Sequence, residues 1–122
     1  MTRPGRFMAT LIAVVAALAL TSCGGEDDGS SGSDAAPKTI EVTFDGDTVT
    51  PNGERVEVQT GQTIVLDITA DEGGEIHVHS SPEQELEYDA GSSTVDFTIE
   101  QPGVVDVESH GLDKVIVQLE VS

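Results

Sequence analysis

From Lys38 onward, apolar residues recur at every second position in short runs, and each run ends at a turn signal. Ile64, Leu66 and Ile68 form one such set. Val95, Phe97 and Ile99 form another, Val105 and Val107 a third, and Val115, Val117, Leu119 and Val121 a fourth. A period of two places such residues on one face of a strand and their polar neighbours on the other. The runs are punctuated by Asp45-Gly46-Asp47, Pro51-Asn52-Gly53, Thr60-Gly61-Gln62, Asp71–Gly74, Asp89-Ala90-Gly91 and Gln101-Pro102-Gly103. No stretch has helical periodicity. Phe44, Tyr88 and Phe97 are the only aromatics after residue 37, so Val, Ile and Leu must build the core. Short strands separated by turns every 8–12 residues predict an all-β antiparallel sandwich of about seven to nine strands. The expected strands are Thr39–Phe44, Thr48–Thr50, Arg55–Gln59, Thr63–Thr69, Glu75–Ser80, Glu85–Tyr88, Thr94–Ile99, Val104–Glu108 and Val115–Val121.

The first 37 residues obey different rules. Arg3 and Arg6 precede an apolar run, Phe7–Leu20, and Thr21-Ser22-Cys23 follows it. A helix over that run reaches roughly 21 Å, short of the ~30 Å hydrocarbon core, so a retained membrane span is the weaker reading. A basic start, an apolar run and small residues make up a signal peptide, residues 1–22, which is set apart from fold reasoning. No Arg-Arg pair is present, which favours general secretion over the twin-arginine route. Leu20-Thr21-Ser22-Cys23 resembles the lipobox of bacterial lipoproteins. That resemblance implies cleavage before Cys23, a diacylglycerol on its thiol, and a place on the extracytoplasmic face of the cell membrane. Residues 23–37 are rich in Gly, Ser and carboxylates and read as a flexible acidic tether. One domain, residues 38–122, remains.

All 23 acidic residues follow the signal segment, whereas Arg3 and Arg6 lie within it. Lys38, Arg55 and Lys114 are left, giving a net charge of 3 − 23 = −20. Such a surface repels phosphates, which argues against nucleic acid as a partner. It also repels anionic lipid, so the acyl group on Cys23 is the expected membrane contact. Cations, metals among them, are attracted, although charge of this kind also serves solubility alone.

The order of the domain's segments carries a second resemblance. Glu54-Arg55-Val56-Glu57-Val58, Gly61-Gln62-Thr63, His77-Val78-His79, Pro102-Gly103 and the closing strand Val115–Val121 are similar to the cupredoxin-like domains of bacterial exported proteins. The resemblance implies a Greek-key sandwich with one histidine-bearing strand near the middle and a histidine-bearing loop before the last strand. It does not extend to type 1 copper. A blue-copper site takes two His, a Cys thiolate and usually a weak axial Met. Ser109 stands near the expected Cys, Met1 and Met8 both lie in the signal segment, and Cys23, the single cysteine, belongs to the anchor. Type 1 copper and its electron transfer are therefore not expected.

His77, His79 and His110 are the three histidines of the chain and its candidate metal ligands. His77 and His79, two apart, share one face of a strand. Glu108 is a weaker candidate, with Asp113 and Glu75 as further oxygen donors. Imidazole suits Cu(II) and Zn(II), and the affinity order favours Cu(II). Two orientations remain open. With Ile76 and Val78 inward, His77 and His79 face solvent and are merely exposed. With the histidines inward, Ile76 and Val78 pack outside, and buried imidazoles can simply bond one another and nearby carboxylates. Acidic surroundings also favour the protonated ring, which would make a pH-sensitive patch. Glu83, Glu85 and Glu87 alternate on one face and read as a solvated strand edge. No twelve-residue calcium loop, nucleophile elbow or phosphate loop is present. The sequence thus points to a binding protein and not an enzyme. It handles Cu(II) or Zn(II) outside the membrane, or it is a metal-free module for an envelope protein partner.

Overall fold

The computed structural model describes residues 34–122, and all their regular structure is β. The expected signal peptide, Cys23 and the tether as far as residue 33 lie outside the described residues. The strands are β1 (Lys38–Asp45), β2 (Thr48–Thr50), β3 (Glu54–Val58), β4 (Ile64–Ala70), β5 (Gly74–Val78), β6 (Gln84–Tyr88), β7 (Gly91–Phe97), β8 (Gly103–Ser109) and β9 (Lys114–Val121). Each expected strand is present, its bounds shifted by a few residues at most.

Two sheets form the sandwich. One runs β2-β1-β4-β7 and the other β3-β9-β8-β5-β6. Three pairs consecutive in sequence are hairpins within a sheet: β1–β2, β5–β6 and β8–β9. Every other connection crosses from one sheet to the other. The sheets are mixed and not wholly antiparallel, because β1 pairs with β4 in parallel and β3 pairs with β9 in parallel. Crossing connections return the chain in the direction in which it left, which permits these pairs.

The inner faces carry the alternating residues. Ile64, Leu66 and Ile68 are at most 1% exposed, and Val42, Ile76, Val78, Val107, Val117 and Leu119 are equally buried. Burying one such side chain contributes about 1.5–3 kcal/mol, so this apolar layer is the main source of stability. The alternation of β9 breaks once. Val107 pairs with Val117 and Glu108 with Val115, so Ile116 is an extra residue in the ladder. This β-bulge lets Ile116 and Val117 both be buried, while Val115 is only half-buried. At the turn before β4, Gly61 adopts φ +73°, which only glycine takes without strain, and its N–H donates to Ile99 O at 2.9 Å. Gln62 Nε2 donates to Ala36 O at 2.6 Å and Lys38 N to Thr63 O at 2.9 Å, holding the end of the tether against this turn.

At the opposite end of the sandwich, Phe44 of β1 and Tyr88 of β6 stack with ring centroids 4.8 Å apart. Glycine is required beside them for space. A Cβ on Gly74 would stand 2.5 Å from the Tyr88 hydroxyl and 2.8 Å from its Cζ.

Candidate metal centre

The core of β5 settles which way its histidines point. Ile76 and Val78 are fully buried. His77 and His79 therefore stand on the outer face of the five-stranded sheet. They are not simply bathed in solvent, because β5 has a strand on each side. Across the ladders, His77 is the direct partner of Glu85 on β6 and of Glu108 on β8. The His77 side chain is only 18% exposed and that of His79 is 41% exposed.

His110 reaches the same face from the turn after β8. Its backbone N–H donates to Glu75 O at 3.0 Å, extending the β5–β8 pairing by one bond. Its ring stacks on His77 with centroids 4.6 Å apart and planes 27° from parallel. Glu75, His77 and His110 each offer one donor atom, and the three atoms lie within 4.8 Å of one another. His77, Glu83 and Glu85 make a second such group.

Carboxylates face both nitrogens of His77, in β5, and of His79, just after it. His77 Nε2 is 2.5 Å from Glu75 Oε1, and His77 Nδ1 is 3.6 Å from Glu83 Oε1. His79 Nε2 is 2.9 Å from Glu108 Oε2, and His79 Nδ1 is 3.5 Å from Glu83 Oε2. The hydrogen bond to Glu75 raises the His77 pKa above its usual 6.5. Partial burial opposes this, and the charges of Glu75, Glu85 and Glu83 reinforce it.

Of the residues singled out in the sequence, the structure brings together His77, His110 and Glu75. His79 lies beside them, its ring centroid 6.3 Å from that of His77, and outside both three-donor groups. Glu108 pairs with His79 and belongs to neither group. Asp113 sits in the exposed turn before β9, with φ +50°. Glu83, Glu85 and Glu87 are exposed, and β6 is an edge strand, as the sequence suggested; Glu83 and Glu85 also face His77. The β5–β6 hairpin register places Glu85 there, and that register was the signal that would have found it.

The inner face offers different chemistry. Ser109 is 1% exposed, and its Oγ accepts the Leu112 N–H at 3.4 Å. Its cross-strand partner is Ile76, whose side chain is apolar and buried. A hydroxyl beside an aliphatic chain lacks the thiolate and imidazoles of a blue-copper ion, so these residues do not fit one.

Comparison with protein-family models finds no match, and comparison with curated proteins finds none. Solved structures do match. A mutant of amicyanin in its reduced Cu(I) form at pH 4 aligns over 73% of this chain and 87% of its own, with a TM-score of 0.52 and 12% identity. Auracyanin A, a "blue" copper protein from the green thermophilic photosynthetic bacterium Chloroflexus aurantiacus, aligns over 71% of this chain and 100% of its own, with a TM-score of 0.51 and 14% identity. A purple cupredoxin from Nitrosopumilus maritimus gives 0.50 at 14% identity, over 70% and 99% of the two chains. The fold is cupredoxin-like. At these identities the likeness concerns architecture, and function rests on the residues of the site.

Proposed function

We propose that this chain is a lipid-anchored extracytoplasmic binding protein of the bacterial envelope. Its cupredoxin-like domain holds Cu(II), or less favourably Zn(II), through Glu75, His77 and His110. It is neither an enzyme nor a blue-copper electron carrier. The observation that carries the reading is the meeting of those three donors, from β5 and the β8–β9 turn, within 4.8 Å. Two imidazoles and a carboxylate form a hard-to-borderline donor set that suits these dications better than Cu(I). Three protein ligands leave a position open for water or an incoming donor. With His110 exposed and Glu75 31% exposed, an ion there can exchange, as sequestration or delivery requires.

Calorimetric titration of the full chain with Cu(II) tests this. One saturable high-affinity phase is expected, weakened at least tenfold by His77→Ala and by His110→Ala. Equal binding by all three proteins would mean nonspecific capture by carboxylates and would overturn the reading.

One observation favours a second reading. Both nitrogens of His77 and His79 already face carboxylates, and each Nε2 is hydrogen-bonded to one, so each ring has an anionic partner without an ion. The domain would then be a metal-free interaction module for another envelope protein. The same titration separates the two.

A further inference from the structure

His77 has two ring nitrogens, directed to different sides of the imidazole, so one ion cannot use both. The structure furnishes ligands on each side. Glu75 is at Nε2, and Glu83 is at Nδ1. Glu85 Oε1 lies 3.9 Å from Nε2, and Glu85 also forms a three-donor group with His77 and Glu83. The two three-donor groups, Glu75–His77–His110 and His77–Glu83–Glu85, share only His77. We propose that His77 bridges two divalent cations, the first in the Glu75–His77–His110 group and the second held by Nδ1 with Glu83 and Glu85. The inference rests on the metal-binding reading above and extends it from one ion to two.

Distance supports the second position. Two ligands on one tetrahedral ion with bonds of ~2.0–2.1 Å stand about 3.3 Å apart. The 3.6 Å from His77 Nδ1 to Glu83 Oε1 is too long for a good hydrogen bond and close to that separation. The other oxygen of Glu83 lies 3.5 Å from His79 Nδ1, so His79 stands next to the second ion as a further donor.

Charge supports it as well. Glu75, Glu83, Glu85 and Glu108 all face His77 or His79. The one ion pair that Lys or Arg makes among the described residues, Arg55 with Glu120, lies elsewhere. One dication leaves half of the carboxylate charge uncompensated, whereas two offset all four carboxylates and leave only the single negative charge of the bridging imidazolate. On arrival of the second ion the Nδ1 proton leaves to water and both ring nitrogens become donors.

Native mass spectrometry and calorimetry with Zn(II) alone, on the full chain in detergent, count the ions. Two per chain are expected for the native sequence, one for Glu83→Gln and none held tightly by His77→Ala. Circular dichroism checks that each variant keeps its β signature, and Glu83, with a side chain 49% exposed, tolerates substitution. With two equivalents of Cu(II), bridged spins couple, and the integrated paramagnetic resonance falls well below two spins per chain. Glu83→Gln should restore one uncoupled spin. A single ion in the native chain, unaffected by Glu83→Gln, overturns the second position and leaves the proposed function standing. Two ions with additive spin overturn the bridge. Binding that ignores His77→Ala overturns both.

Discussion

At the residue scale, His77 is the side chain on which everything else turns. It stacks on His110, donates a hydrogen bond to Glu75, and faces Glu83 and Glu85. Its raised pKa makes two quantities depend on pH. Its contribution to stability is fully present below about pH 6.5, the unfolded value, and is lost as pH rises through the higher folded value. Metal affinity moves the other way, because a ring nitrogen must be free to ligate. Titrations between about pH 5.5 and pH 8.5 should show Zn(II) affinity rising by up to about tenfold per pH unit while His77 is protonated, then levelling. The plateau should begin above pH 6.5, and one at or below that value would mean Glu75 does not hold the ring as described. The three histidines were legible as a set, since no others exist. That His77 joins His110 while His79 stands aside was not, because ring placement depends on the turn after β8. Glu83, Glu85 and Glu87 were legible as a solvated edge, but the approach of Glu83 and Glu85 to His77 was not, because alternating carboxylates look the same whether or not an imidazole stands beside them.

At the element scale, the β5–β6 hairpin brings the site's acidic and imidazole residues together, and Tyr88 clamps its open end. The register sets Glu75 opposite Glu87, a like-charge pair that weakens the ladder unless a cation lies nearby. Tyr88 offsets this by stacking on Phe44 of the other sheet. Burial, with a smaller effect of the Asp71 charge, lifts its pKa above 10. Gly74→Ala should drive the Tyr88 ring outward, cost about 1–3 kcal/mol in urea unfolding, and return the Tyr88 pKa toward 10 in an ultraviolet titration. An unchanged midpoint and titration would show that the ring has room to spare. The strands themselves were legible because alternation reports which face is buried. It does not report the neighbour, so the parallel partners of β1 and β3 could not be read from it. Nor was the bulge at Ile116 visible, since Val115–Val117 is apolar at every position and hides the change of parity.

At the scale of the whole molecule, the acidic charge and the proposed anchor act together. Carboxylates keep the domain off an anionic surface, and the acyl group proposed on Cys23 would keep it near one. Cys23→Ala should release the protein to the medium or leave it unprocessed in membrane fractions, and the wild type alone should take up labelled fatty acid. Equal labelling of both proteins would remove the anchor. The sandwich also has a direction. Lys38, where the tether joins, pairs with Ile64 at one end of the first sheet, and Phe44 pairs with Ala70 at the other. Strands of that length carry the chain roughly 23 Å. Glu75 and the turn bearing His110 lie at the Phe44 end, beside Gly74 and Ser109. Glu75 and the His110 turn therefore lie at the end of the domain remote from the residue where the tether joins. If an ion is held there as proposed, whatever delivers or collects it meets it at the end of the domain farthest from the leash.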